Sequence, residues 1–333
     1  MKRFNKMNDL KGQFNLKESL RNYALFLVFL AMCIFFGIAS PTFFTPINIM
    51  NVFRQVSING ILAIAMTLVI ITAGIDLSIG SILAVTGVIS AMVVARGPEM
   101  LVPAILAGII SAAIMSMWTA ALVAKIRIAP FIASLSTMTI ARGVALVISG
   151  GLPHTIRDDS FREIGNGFLW NPALTGDVGL PIPVLIFIMV AVIIGIILYK
   201  TKFGRHIYAV GGNEHAAKAS GINVAKVKFW TYVLNGALCG VAGIVLASRI
   251  TSGQPAAGAG AELDAITAVI IGGTSLFGGS GKISGTIIGV LIIGVLTNGL
   301  VLLGVSSYYH SIIRGVIVAV AVLLDAKAKR ISS

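Results

Sequence analysis

Charged residues are scarce in this sequence: Asp, Glu, Lys and Arg together supply 11% of 333 residues, against roughly one quarter in a soluble domain. Apolar residues supply 57%, and the mean hydropathy is +0.97. A soluble fold of this length has too little interior to bury so much apolar surface. The composition therefore excludes the soluble classes and predicts an all-α integral membrane protein, with the lipid bilayer as its surroundings.

Acidic residues are especially few, since 12 Asp and Glu stand against 25 Lys and Arg and leave a formal charge of +13. The basic residues cluster at the ends of apolar runs, where membrane proteins carry them. No basic stripe with interleaved aromatic residues is present in the sequence. The charge pattern therefore argues against nucleic acid as a partner.

Reactive and metal-binding residues are equally sparse. The two cysteines, Cys33 and Cys239, fall inside apolar runs, where they act as small buried hydrophobic residues. No His or Cys cluster stands at the spacing of a metal site, and no nucleophile is accompanied by a matching general base. The sequence thus predicts no enzyme, no metal site and no cofactor of its own.

A nucleotide-binding loop is also missing. GGSGKI at 278–283 resembles one superficially, but a phosphate loop needs glycine five positions before the glycine that precedes the lysine, and Ser or Thr after the lysine. Those two positions hold Leu276 and Ile283. If ATP drives this protein, another chain must bind ATP and Mg²⁺ and hydrolyse the nucleotide.

Long apolar runs, by contrast, are abundant. A helix rises ~1.5 Å per residue and needs about 20 apolar residues to cross a bilayer. The run at 264–276 is short, opens with Asp264 and leads into GGTSLFGGSGK, which favours a broken or re-entrant helix. About ten transmembrane helices are predicted, at residues 23–40, 56–73, 78–95, 101–124, 130–149, 182–199, 229–248, 264–276, 284–303 and 309–325.

The distribution of Lys and Arg predicts the orientation. With the N-terminus in the cytoplasm, 18 of the 25 basic residues lie on the cytoplasmic side and 5 on the other. Arg142 and Arg314 lie within spans, where they can pair with carboxylates or helix carbonyls. The positive-inside rule then favours an N-in, C-in bundle. The expected organisation is a cytoplasmic tail at 1–21, one transmembrane domain at 22–326 with a polar cytoplasmic segment at 200–228, and a cytoplasmic tail at 327–333.

The outward loop at 150–181 mixes charges of both signs with Phe161, Phe168 and Trp170. A solvated connector with an interfacial tryptophan is the favoured interpretation. A docking surface for an external partner is the alternative.

Two glycine-containing segments of the chain have similar sequences, which we call the internal echo. VIITAGIDLSIGS at 69–81 aligns with AVIIGGTSLFGGS at 268–280 at five positions. Transporters are often built from repeats whose interrupted helices meet at the substrate path. A true repeat and a chance match of glycine-rich sequence remain open alternatives.

Few polar residues stand inside the apolar runs. Asp76 and Ser78 belong to the GIDLSIG break, where the Asp76 carboxylate can accept hydrogen bonds from free backbone amides and cap the next helix. Asn and Gln can either line a path for a hydroxyl-rich solute or tie helices together, and both roles stay open. The candidates for such a path are Gln55, Asn59, Asp76, Ser78, Asn235 and Asn298.

The polar segment at 200–228 is too polar to cross a membrane. Within it, HAAKAS is a run of small and helix-forming residues, preceded by GGN and followed by Gly221. Glycine favours turns and helix ends. The segment therefore predicts a short, exposed helix on the cytoplasmic side.

Four long strings carry a resemblance to a known family: PTFFTPINIMNVFRQVSINGILAIAMTLVIITAGIDLSIGS, FGRHIYAVGGNEHAAKASGINV, ELDAITAVIIGGTSLFGGSGKISGTIIG and NGLVLLGVSSYYHSIIRG. With them the chain resembles the membrane-spanning permeases of bacterial ABC importers for monosaccharides, most closely those for ribose, along nearly all of its length. The resemblance implies a multi-pass protein of the bacterial cytoplasmic (inner) membrane that imports a monosaccharide, with ribose expected, by alternating access. The implied partners are a second copy of the chain, a cytoplasmic ABC ATPase that binds ATP and Mg²⁺, and an extracytoplasmic sugar-binding protein.

The resemblance also implies that the short cytoplasmic helix is a coupling helix that docks on the ATPase. The importer pattern is EAA followed, after three intervening residues, by Gly. It falls on His215, Ala216, Ala217 and Gly221. His215 stands where the pattern has Glu, which puts the usual acidic contact in doubt. The segment before the pattern consists of Gly211, Gly212, Asn213 and Glu214.

Two other function classes remain as alternatives. An ion-coupled secondary carrier of a small polar solute would transport without a partner, but the poverty of carboxylates at membrane depth argues against it. A membrane scaffold subunit would bind a partner and move no solute, and the glycine-broken helices argue against that class.

Overall fold

The described part of the chain is mostly helical. The computed structural model describes residues 25–170 and 179–332. A short antiparallel ladder pairs β1 (His154–Thr155) with β2 (Ser252–Gly253). The helices are α1 (Leu25–Ala39), α2 (Pro46–Ile71), α3 (Ile79–Val94), α4 (Leu101–Ala121), α5 (Pro130–Ser149), α6 (Asp159–Asn166), α7 (Ile182–Lys200), α8 (Lys202–Gly212), α9 (Glu214–Ala219), α10 (Val224–Arg249), α11 (Ala261–Ile271), α12 (Ile283–Leu302) and α13 (Ser307–Ser332).

Six helical segments are long and apolar enough to cross a membrane: α2, Pro98–Ile126 around α4, α5, α7, α10 and α12. Shorter apolar helices are α1, α3 and the stretch Tyr308–Val320 of α13. Helix α11 has only 11 residues. At ~1.5 Å per residue it covers roughly half of a bilayer core, as expected for a broken helix.

Helix α2 lies at the centre of the bundle. In its most apolar window 83% of the residues are buried, against 22% to 28% in α4, α5 and α7. Residues 61–71 of α2 are almost completely inaccessible. Helices α4, α5 and α7 instead expose Ile, Val and Leu side chains, as helices that face lipid do.

Helix α10 is the second core helix and contacts α2, α3 and α4. Its small residues permit close approach: a methyl group on Gly236 would collide with Ser116 of α4, and one on Gly243 would collide with the Leu83 carbonyl of α3. Helices in membranes associate through such small-residue contacts, because lipid removes the hydrophobic drive between them. Cys239 on the same helix is buried and Cys33 is half-buried.

Two helix breaks, at residues 72–78 and 272–282, separate α2 from α3 and α11 from α12. In each break the second residue has a left-handed backbone: Ala73 (φ 58°) in the first and Gly273 (φ 84°) in the second. The same pair of hydrogen bonds closes both ends, with Ala73 N–H bonding to Ile70 and Gly74 N–H to Val69, and the equivalent bonds from Gly273 and Thr274. The echo in the sequence thus corresponds to similar backbone geometry, although the structural equivalence is shifted by one residue from the sequence alignment.

Helix α2 begins well before the predicted start at residue 56. The first turns of α2 contain polar residues, so their hydropathy does not predict a membrane helix. These polar residues are hydrogen-bonded: Asn48 pairs with Asn298, and Arg54 donates to the Asn166 carbonyl at 3.0 Å. Pro46 occupies the first turn, where its fixed φ and missing N–H are tolerated.

The outward loop at 150–181 is largely exposed in its described part, but its helix α6 is packed against the bundle. Phe161 of α6 is fully buried, and Ser248 of α10 donates its hydroxyl to the Phe161 carbonyl at 2.6 Å and accepts from Gly165 N–H at 2.6 Å. The amphipathic pattern of α6 buries its apolar face on α10, which a charge count cannot reveal. Trp170 is 44% exposed.

Three predicted features fall outside the described residues. They are the tail at 1–21, the stretch 171–178 of the outward loop and the side chain of Arg314. Helix α13 continues to Ser332, so it includes most of the segment predicted as the tail at 327–333.

Candidate functional site

A buried polar cluster occupies the first helix break. Asp76 is fully buried. One of its carboxylate oxygens accepts hydrogen bonds from the backbone N–H (2.9 Å) and the hydroxyl of Ser78, and the other accepts from the Asn235 amide at 2.8 Å. These donors compensate the cost of burying a carboxylate. Because Asn235 belongs to α10, the cluster joins the break to the second core helix.

The predicted capping role of Asp76 is modified by this geometry. The carboxylate does bind a free amide, but that amide belongs to Ser78, the residue before α3, and the Ser78 side chain makes no cap bond to the helix. Asp76 therefore shapes the break rather than capping α3 directly.

Gln55 and Asn59 line a cavity of about 330 Å³ between α2, α3, α10 and the start of α11. Arg249, at the end of α10, lines the same cavity, and most of the remaining wall is aliphatic. Amide and guanidinium groups in an apolar wall can bind the hydroxyl groups of a small neutral solute. Arg249 was not among the residues predicted for a solute path, although the sequence places it directly after the predicted span 229–248.

Asn298 lies apart from this cavity. It exchanges two amide hydrogen bonds with Asn48, at 3.0 and 2.8 Å, and so ties α12 to α2. At this residue the geometry favours the helix tie over the solute path.

Arg142 of α5 pairs with carbonyls, one of the two kinds of partner expected for it. Its guanidinium donates to the Pro255 carbonyl and, at 2.8 Å, to the Ala257 carbonyl. These contacts hold the segment that leads into α11. On the other side of α11, Asp325 of α13 accepts from the Leu276 N–H at 3.0 Å in the second break.

The polar segment at 200–228 contains two helices, not one. The predicted short helix is α9, and Asn213 caps it by accepting from Ala216 N–H at 2.9 Å. Helix α8 was not predicted, although Thr201 as a cap (3.2 Å to Gly204 N–H) and apolar residues at 203, 207 and 210 are typical signals. Gly211 and Gly212, which the sequence placed before the short helix, are the last two residues of α8.

Helix α9 exposes His215 and Ala216 and buries Ala217, and Gly221 follows it in the left-handed region (φ 82°). A cleft of about 610 Å³ separates it from the turn between α4 and α5, with Arg127, Glu214, His215 and Lys218 in its wall. Glu214 pairs with Lys228 at 2.6 Å. The acid next to His215 is therefore engaged within the segment itself.

No group of three or more His, Cys, Asp or Glu side chains suited to a metal ion occurs within residues 25–170 and 179–332. The GGSGKI string forms the end of the second break and the first residue of α12. Its glycines approach the backbone of α2 and α8.

Comparison with known proteins shows that the chain is similar to transport permeases. A family described as "Branched-chain amino acid transport system / permease component" matches residues 48–322. The ribose import permease protein of Bacillus subtilis (strain 168) is 47% identical over 304 residues, which cover 91% of this chain and 92% of that one. The ribose import permease protein of Escherichia coli (strain K12) is 47% identical over 294 residues, 86% of this chain and 88% of that one. The L-arabinose transport system permease protein of the same strain is 37% identical over 325 residues, 96% of both chains. No solved structure matches the chain.

Proposed function

The chain belongs to the permease-component family that matches residues 48–322, and from this premise we propose that it is the membrane-spanning subunit of an ABC importer that carries a monosaccharide, ribose, into the cell. The similarity to two ribose import permeases over most of the chain carries the proposal. The relative named for L-arabinose supports the wider class of monosaccharides. The chain is a transport subunit of the bacterial cytoplasmic membrane and not an enzyme, and a separate ATPase hydrolyses ATP.

The partners in this proposal are a cytoplasmic ATPase, an extracytoplasmic sugar-binding protein and a second copy of the chain. The exposed helix α9 and the cleft beside it offer a surface for the ATPase. The coupling residues in this proposal are Gly211, Gly212, Asn213, Glu214, His215, Ala216, Ala217 and Gly221, of which Gly211 and Ala217 are buried beneath that surface. ATP and Mg²⁺ would be bound by the ATPase.

In the proposed topology α1–α5, α7 and α10–α13 give ten membrane helices, with both termini in the cytoplasm. The distribution of Lys and Arg supports this orientation. The permease domain extends over 22–326, with 200–228 in the cytoplasm and short tails at 1–21 and 327–333. Helix α11 covers only part of the bilayer because it has only 11 residues, and the break at 272–282 completes this crossing in the proposed topology.

For the solute path we propose the cavity at Gln55 and Asn59, with Arg249 as a further donor to sugar hydroxyls. Asp76, Ser78 and Asn235 would fix the break before α3, whose Leu83 lines this cavity, and Asn298 would hold two helices together. ATPase closure would displace α9 and alternate the access to the path. Such a drive requires that the ATPase bind the two conformations with different affinity.

Reconstitution tests the proposal. The chain is placed in liposomes with a partner ABC ATPase and a sugar-binding protein, and uptake of labelled ribose, L-arabinose and D-allose is measured with ATP inside. Ribose uptake that requires ATP and both partners is the expected result. Uptake by the chain alone under an ion gradient would instead favour the secondary carrier, and binding of the partners without uptake of any sugar would favour the scaffold.

A further inference from the structure

The end of α8 touches the first helix break through backbone atoms. Gly211 is buried, and a methyl group on it would collide with the carbonyl oxygen of Ile71, the last residue of α2. The same carbonyl accepts a hydrogen bond from Gly279 N–H, in the second break, at 2.9 Å. A carbonyl at a helix C-terminus has no partner within its helix, and here the other break supplies one.

The second break is held by α8 as well. Tyr208 of α8 donates its hydroxyl to the Gly281 carbonyl at 2.8 Å. Burial, with a smaller contribution from nearby Tyr199, raises the pKa of Tyr208 to about 12, so the hydroxyl stays protonated and can donate at neutral pH. A methyl group on Gly278 would meet both Ala73 and the Gly211 carbonyl. Residues 71–73, 208–212 and 278–281 thus meet in one contact, made mostly by backbone atoms together with the Tyr208 hydroxyl, which we call the three-way junction.

The junction is also continuous with α9. Asn213 alone separates α8 from α9, and it belongs to both: its N–H bonds to the Ala209 carbonyl, and its side chain caps α9 at Ala216. Close-packed backbone has no flexible side chain that could absorb a displacement. Movement of α9 must therefore reach residue 211 and the atoms packed on it.

We propose that Gly211 and Tyr208 are positioning residues of the transport cycle: they hold the end of α8 against both helix breaks, so that a displacement of α9 moves the two breaks together. The transport part of this inference rests on the proposed function, in which the ATPase acts on α9. Beyond Ala73 the chain continues directly to Asp76 and its bond to Asn235. The displacement consequently reaches the polar cluster of Asp76, Ser78 and Asn235.

A first test requires no transport. Gly211 lies within α8 and has no positive φ, so its backbone suits alanine and only the contacts with Ile71 and Gly279 oppose the substitution. Gly195 of α7 has open space around the added methyl group and provides the matched control. In purified protein, Gly211→Ala should accelerate hydrogen–deuterium exchange in the peptide that contains Gly279, whereas Gly195→Ala should match the wild type. Unchanged exchange in Gly211→Ala would overturn the junction.

A second test measures coupling in the reconstituted importer as sugar taken up per ATP hydrolysed. Gly211→Ala should lower this ratio by roughly tenfold, with ATP hydrolysis retained and Gly195→Ala equal to the wild type. Tyr208→Phe removes only the hydroxyl, so it remains informative if Gly211→Ala does not fold, and it should lower the ratio by about threefold. Wild-type ratios in Tyr208→Phe and in folded Gly211→Ala would overturn the positioning role. If the wild type itself transports no sugar, the proposed function fails and the positioning role fails with it, while the exchange result still decides the junction.

Discussion

Asn235 of α10 donates its side-chain amide to the buried carboxylate of Asp76 at 2.8 Å, although the two residues lie 159 positions apart in the sequence. This bond connects α10, which follows the polar segment at 200–228, to the break that follows the central helix α2. Helix α10 begins at Val224, just after Gly221. The segment at 200–228 is therefore linked to Asp76 from two sides, through α10 and through the contact of α8 with Ile71.

Removal of the Asn235 amide should destabilise the protein. Asn235→Leu keeps the approximate volume but takes one donor from a fully buried carboxylate. A buried polar group that loses its partner costs about 1–3 kcal/mol. We expect a lower melting temperature in detergent micelles, followed by intrinsic fluorescence.

The control is the same exchange at Asn51, which is exposed on α2. Asn51→Leu should melt with the wild type. Equal melting of the Asn235→Leu and Asn51→Leu variants would show that the bond to Asp76 contributes nothing to stability.

Sequence patterns predicted the helices where a single feature dominates. The continuous apolar run at 182–199 predicts α7 to within one residue, and the glycines that flank HAAKAS give α9. Helix α8 was not predicted because its 11 residues mix polar and apolar side chains. The mean hydropathy of such a segment is too low for a membrane span, so a search for spans does not detect it. The contact among Ile71, Gly211 and Gly279 could not be predicted, because it joins backbone atoms of residues far apart in the chain.

The candidate site was predicted in part. A pattern of polar residues within apolar runs identified Gln55 and Asn59 as well as Asn298, but it could not separate the cavity wall from a helix tie. That distinction depends on which helices face one another: Asn298 meets Asn48, whereas Gln55 and Asn59 meet the aliphatic wall beside Arg249. Two experiments should separate these roles.

Asn59→Leu should impair transport without loss of stability. The substitution removes a hydrogen-bonding group from the cavity and leaves the helix ties intact. One hydrogen bond contributes about 0.5–1.5 kcal/mol, which corresponds to a roughly threefold to tenfold lower rate of sugar uptake in proteoliposomes. Melting temperature and co-purification with the ATPase should stay at wild-type values. A wild-type uptake rate would exclude Asn59 from the solute path.

Asn298→Leu should have the opposite profile. Its amide pairs with Asn48 across α12 and α2, with both bonds between side chains. Hydrogen bonds between membrane helices contribute about 1 kcal/mol each. The variant should therefore melt at a lower temperature, and the protein that remains folded should take up sugar at the wild-type rate per molecule. Reduced uptake with unchanged melting would instead assign Asn298 to the path.

Substitution of Gly221 tests the docking of α9 through backbone conformation alone. Gly221 has a φ of 82°, and an added methyl group would meet open space. Steric collision therefore plays no part, and any effect comes from the left-handed backbone, which costs a residue with a side chain about 1–2 kcal/mol. Gly221→Val should be the most disruptive choice because its branched Cβ resists this region, whereas Gly221→Asn should be tolerated because Asn visits it routinely. We expect Gly221→Val to insert into the membrane at the wild-type level but to lose co-purification with the ATPase and sugar uptake, while Gly221→Asn retains both. If Val and Asn variants bind the ATPase and transport equally well, the turn after α9 has no part in docking.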